Sequence, residues 1–267
     1  ASATFDHAVL RYGGATSSYY MVRNDGALTV RNSELRYSYG DAIYSSGTSL
    51  TVIGSTITDN DDCGVYANNH PITITNSIFG DNTSYGIDYR EIGAAEEIVL
   101  LNNSFTDHGN YPIRITASGT SDSFHTDASK LSGNTGANNA YNGIHFIGNI
   151  TGTTTLISQE GLPFVLNDAL IRADSSLTIE SGTVIKLYKS LTFPGSLIVE
   201  GSLDVQGTVD NPVIFTSFKD DTYSGDTNGD GDVSSPAPGD WSRIYVEQQA
   251  SATFDHAVLR YGGATSS

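Results

Sequence analysis

The chain has one cysteine, Cys63, so no internal disulfide can form and the fold must hold by packing and hydrogen bonds alone. It has 7 prolines, a single methionine and a single tryptophan among 267 residues. Charged residues make up 16% of it, below the roughly one quarter usual for globular chains. Basic residues are the scarcest class that matters: 13 Lys and Arg stand against 30 Asp and Glu, a formal charge of −17. That balance argues against nucleic acid as a partner and favours cations. No apolar run reaches the length of a membrane span, which predicts no membrane contact by this segment, and no signal-peptide pattern opens it.

What is abundant is Gly (28 residues), with Thr, Ser, Asn and Asp, a composition suited to turns and to stacked polar side chains in an extracellular all-β protein. The strongest single feature is an internal copy. Residues 1–18 and 250–267 are identical, which sets a period of 249 residues. Shared fold pressure fixes only a few positions per strand, so an unbroken match of this length means a recent duplication or a deliberate cut. Residues 1–249 therefore read as one period and 250–267 as the start of the next, both ends falling in the same strand region of successive copies.

A shorter period lies inside the long one. Phe5, Val30, Val52, Ile74 and Leu100 form one apolar column, at steps of 25, 22, 22 and 26 residues. Leu10, Leu35, Ile57, Phe79 and Phe105 form a second, and Ile43, Val65, Ile87 and Ile113 a third. Around them, segments such as Leu-Thr-Val at 28–30 alternate apolar and polar residues, the signature of a half-buried strand, and Gly, Asn or Asp ends nearly every run. One such rung cannot bury its apolar face, but stacked rungs can. The sequence predicts about ten rungs of ~22 residues per period, an axial rise of roughly 50 Å at ~4.8 Å each. Between the first two columns lie His7, Asn32, Gly54, Asn76 and Asn102. The reading here is a ladder of side-chain amides at a turn, built on Asn32, Asn76 and Asn102 and interrupted by His7 and Gly54. Asp59, Asp81 and Asp107 share another column, which reads as a corner. Arg11 and Arg36 align, as do Tyr12 and Tyr37, and read as a solvated stacking stripe.

The Asn-Ser-x-Phe/Leu-x-x-Asn pattern, followed by Gly-Ile or Gly-Val, resembles the right-handed parallel β-helix repeat of pectate-lyase-like proteins. The Leu-x-Val-x-Gly style text after Leu170 resembles giant tandem-repeat bacterial surface proteins. The resemblance implies a solenoid on a cell surface or outside the cell. In the later part, 213–215 is expected in the first column and 244–246 in the third, leaving 218–241 as an insertion.

That insertion holds six Asp between Asp220 and Asp240. Asp226, Asn228, Asp230, Gly231 and Asp232 have the Asp-x-Asn-x-Asp-Gly spacing of a calcium loop, where alternate oxygens face one ion and Gly permits the sharp turn. Asp220, Asp221 and Asp240 are candidates to complete the shell. The twelfth-position Glu of an EF-hand is missing, since Ala237 stands there, and the segment is similar to the isolated calcium loops of dockerins and thrombospondin-type repeats. His70, His108, His125 and His145 show no metal-ligand spacing, and Cys63 reads as a small buried residue.

The expectation is a non-enzymatic structural segment of a long extracellular fibre, stalk or adhesin, joined end to end with copies of itself and stiffened by calcium. The alternatives are a polysaccharide lyase or glycoside hydrolase, or an adhesin that binds a surface glycan.

Overall fold

The computed structural model describes residues 1–15, 19–90, 97–119, 122–192 and 194–264. The elements among them are all strands, paired in parallel into long stacks, and the fold is a right-handed parallel β-helix. One turn shows how the sequence makes it. Ala27–Arg31 runs straight, Asn32 turns the corner at φ 49°, Glu34–Arg36 follows, Tyr37 turns at φ 61°, and Asp41–Ser45 completes the third side. Each side alternates, so Leu28 and Val30 point inward while Thr29 and Arg31 point out.

The three apolar columns read from the sequence are the three inner ridges. Phe5 pairs with Val30, Val30 with Val52, Val52 with Ile74, and Ile74 with Leu100. Leu35, Ile57, Phe79 and Phe105 stack in the second, the two Phe rings 5.0 Å apart at 15°. Val65 lies between Ile43 and Ile87 in the third. All but the half-buried Phe5 are fully buried, each stabilising the fold by about 1.5–3 kcal/mol of apolar transfer.

The ladder lies one residue later than its expected column. His7, Asn32, Gly54, Asn76 and Asn102 all have φ between 49° and 55°, and Asn32, Asn76 and Asn102 are exposed. A left-handed residue swings the chain round the corner and sends its own side chain outward, leaving the next residue facing in. The buried ladder is therefore Ser33, Ser55, Ser77, Asn103, Asn134 and Gln159. Ser33 N donates to Ser55 Oγ (3.2 Å), Ser77 N to Asn103 Oδ1 (3.0 Å), Asn103 N to Asn134 Oδ1 (3.1 Å) and Asn134 N to Gln159 Oε1 (3.1 Å). A second ladder follows the other left-handed column of Tyr12, Tyr37, Asp59, Asp81 and Asp107. There Ser38 N donates to Asn60 Oδ1 (3.0 Å), and Asn60 Nδ2 to Asn82 Oδ1 (2.7 Å).

The cross-section changes in the later half. The second stack ends with Thr135–Ala137 and a last bridge from Thr135 to Glu160. Meanwhile Ile144–Ile150 and Phe164–Ile171 lengthen the third side, with a register shift between Phe146 and Gly148. Two stacks grow from the longer strand: its first half pairs with Val184–Leu187, its second with Leu197–Val199. The first branch runs on through Val213–Ser217 to Ala257–Leu259, and the second to Ile244–Val246. Because Leu259 is the copy of Leu10, the third stack of one period becomes the second stack of the next. This corrects the placing of 213–215 in the first column, whose members there are Ile179, Val205 and Phe254. Phe254 is Phe5's copy, so the tenth strand of the first stack opens the second period, and one period is nine turns. At ~4.8 Å per turn that is about 43 Å.

Candidate functional site

The insertion at 218–241 has no strands and is held to the solenoid from below. Its first residue, Phe218, packs into an aromatic cluster with Tyr188 (5.0 Å) and Tyr141 (5.9 Å), and Tyr111 stacks on His145 (4.4 Å) beside them. Lys186, fully buried, extends outward from its strand and donates through Nζ to the carbonyls of Asp220 (3.0 Å) and Gly225 (2.8 Å). Burial pushes its pKa down to about 8, against the pull of Asp221, Asp220 and Asp226. Asn142 N also donates to Thr227 O (2.9 Å), and a side chain at Gly229 would run into the Ala140 carbonyl.

On this base the acidic residues separate into two groups. Asp220 and Asp240 are pins. The buried Asp220 carboxylate accepts from Thr216 Oγ1 and from Thr222 N (3.2 Å) and Oγ1 (2.5 Å). Burial alone would raise its pKa, but these bonds win and hold it low. Asp240 accepts from Ser217 Oγ (2.7 Å), Lys219 Nζ (2.9 Å) and Ala237 N (2.9 Å), and it too is held low against burial. Three hydrogen bonds engage each carboxylate, and neither joins the acidic group that gathers in the loop.

Asp221, Asp226 and Asp230 do come together, each offering an oxygen within 4.8 Å of the others. Asp226 accepts from Gly231 N (2.8 Å) and Asp230 N (3.3 Å), closing the loop upon itself. Asn228 donates to Asp230 Oδ2 (2.8 Å) and Ser234 Oγ (2.9 Å), while its own Oδ1 and the Oδ1 of Asp221 are buried without a hydrogen-bond partner. Asp232 is exposed and stands outside the trio. Burial raises the Asp221 pKa, and Asp226, Asp230 and Asp232 raise it further, with only Lys186 opposing. Crowded carboxylates and orphaned oxygens are the donor set a hard cation relieves, so the residues fit Ca²⁺.

Sequence reasoning missed a buried ion-pair cluster on the third side. Asp88, 1% exposed, accepts from Arg114 Nε (2.8 Å) and Nη2 (2.5 Å) and from Arg90 Nε (2.9 Å), and the Arg114 guanidinium lies 4.0 Å over Tyr85. The signal was present, since Asp88 and Arg114 are register partners, but a column of unlike residues carries no visible period. With its oxygens held by two guanidiniums, Asp88 offers no unpaired base. Nearby, Asp41 Oδ1 accepts from Cys63 N (3.1 Å), and burial, then Asp62, raises the Asp41 pKa to about 7. Burial pushes the Cys63 thiol up as well, which fits a packed residue rather than a nucleophile.

The family described as "Right handed beta helix region" matches residues 11–128, the regular first half of the solenoid. No curated protein and no solved structure matches the chain. The match fits the fold and stops short of the insertion.

Proposed function

We propose that this chain is a structural repeat segment of a long extracellular fibre, stalk or adhesin, in which copies follow one another along the β-helix axis. The observation that carries the reading is the second copy. Its first strand, Ser251–Asp255, pairs over five residues with Ser202–Gln206, and Ala257–Leu259 pairs with Val213–Phe215. Hydrogen-bonded sheet therefore runs through the 249/250 boundary without a seam, and a terminal turn is capped by the next copy rather than left as an open edge. Length is what such copies add. The charge of −17 keeps neighbouring fibres apart unless cations bridge them.

Within this reading the insertion binds calcium through Asp221, Asp226 and Asp230, with Asn228 as a further oxygen donor, and the ion stiffens a loop that has little core of its own. Electron microscopy of the protein in its native source is the test. Thin filaments with an axial repeat of about 43 Å are expected; discrete short particles would refute the fibre. For the ion, calcium is expected to slow proteolysis within 218–241, and chelation or the double variant Asp226→Asn, Asp230→Asn to abolish that protection. Cleavage that ignores calcium in the unaltered chain would remove calcium from the proposal.

A further inference from the structure

We infer that the insertion is also the clasp between copies: the 218–241 loop of one period seats on residues 11–15 of the next. This rests on the tandem reading and assigns the loop a partner within it. The two identical segments differ in surroundings. At the second copy, Trp241 Nε1 donates to Arg260 O (2.7 Å), Ala264 N to Trp241 O (3.0 Å), and Gly239 N to Tyr261 O (3.1 Å). Arg260 reaches Asp220 (3.6 Å) and Thr222 Oγ1 (3.4 Å) from the loop. Trp241 is 3% exposed, and its indole lies flat enough on Gly262 that a Cβ there would stand 2.9 Å from the ring.

At the first copy, among the described residues, no such loop lies on the same segment. Arg11 pairs with Glu34 of the following turn (2.5 Å), and a Cβ at Gly13 would meet Met21 instead of an indole. Tyr12 is 77% exposed although Tyr37 stacks on it at 5.2 Å. Its copy Tyr261 is half-buried, with the Arg260 guanidinium 4.8 Å from its ring and the loop's Gly239 and Asp240 N–H groups donating to its carbonyl. Tyr12, Gly13 and Gly14 line a groove of about 340 Å³ with Tyr37, Tyr39 and Asp59. The occupant of that groove's upper end is the insertion of a preceding copy. The stack handover makes this possible: Val213–Ser217 and Ile244–Val246 take the second and third positions just before the junction, so the loop between them emerges at the same corner as residues 11–15.

Trp241 is the chain's one tryptophan, so its fluorescence reports the clasp alone. In the 267-residue protein, Arg260→Ala and Gly262→Val are expected to raise acrylamide quenching of Trp241 several-fold and to open 218–241 to protease. The sequence-identical changes Arg11→Ala and Gly13→Val are expected to leave Trp241 unchanged. Hydrogen exchange at Ser251–Asp255 separates loss of the clasp from loss of the last turn: those amides stay protected if only the clasp opens. Trp241 indifferent to Arg260→Ala and Gly262→Val, or equally sensitive to the Arg11 and Gly13 changes, would overturn the clasp. Either result leaves the filament images to be judged separately.

Discussion

As the pH falls from 6.5 towards 4, the protein is expected to lose about 3 kcal/mol more stability than its His108→Asn variant loses. His108 and His145 are buried, and burial lowers each pKa from 6.5 to about 4. The unfolded chain therefore takes up their protons first as pH falls. The stability tied to each is fully present above 6.5 and is lost on the way down to about 4, about 3 kcal/mol per histidine by linkage. Asp41 works in the opposite sense. Its folded pKa is raised from 3.8 to about 7, so its contribution is present below 3.8 and lost as pH rises through 7. Comparing the variant with the parent cancels Asp41. His108 occupies the second ladder, its backbone N donating to Asn139 Oδ1 (3.1 Å) as Ser38 and Asn60 donate to Asn60 and Asn82, and both its ring nitrogens lack a partner. An asparagine there suits the ladder and cannot be protonated. Urea unfolding at pH 4.5 and 7 measures the difference; parallel pH profiles for parent and His108→Asn would refute it.

Asn103→Ala is expected to cost about 3–5 kcal/mol, and Asn102→Ala only about 1. The two asparagines are neighbours in sequence and face opposite ways. Asn103 Nδ2 donates to Ile74 O (2.8 Å) and Asn134 Oδ1 (3.0 Å), and its Oδ1 accepts from Ser77 N (3.0 Å). Truncation leaves the buried Ser77 N–H without its acceptor, takes one donor from the Ile74 carbonyl and another from Asn134 Oδ1, and opens a cavity. Asn102 is exposed at φ 55°, so alanine there loses only backbone comfort, and glycine is expected to be tolerated without loss. Equal costs for the two alanine variants, measured by urea unfolding, would mean that the ladder is not where the structure puts it.

That pair also shows where sequence reading stopped. The three apolar columns were legible because stacking like on like repeats the same requirement every turn, and repetition is what a sequence displays. The recurrence of Asn32, Asn76 and Asn102 was equally legible, but its meaning was not. The same residue type satisfies a buried amide ladder and a left-handed corner, and only the backbone torsion decides which. The insertion's Asp226-x-Asn-x-Asp-Gly spacing was visible because a loop that wraps one point is set by local sequence. Which carboxylates gather was not, since Asp220 and Asp240 are claimed by Thr216, Thr222, Ser217 and Lys219, partners that only tertiary packing brings near.

By itself the sequence determined the identical segments 249 residues apart, the all-β solenoid and the alternation that gives each turn an inside and an outside. Tertiary structure alone decided that one stack ends, that another divides at the shift between Phe146 and Gly148, and that the third side of one period becomes the second side of the next. The reason is physical. A strand's inward face is fixed by its own alternating residues, but its neighbours above and below are fixed by where the chain has already been laid.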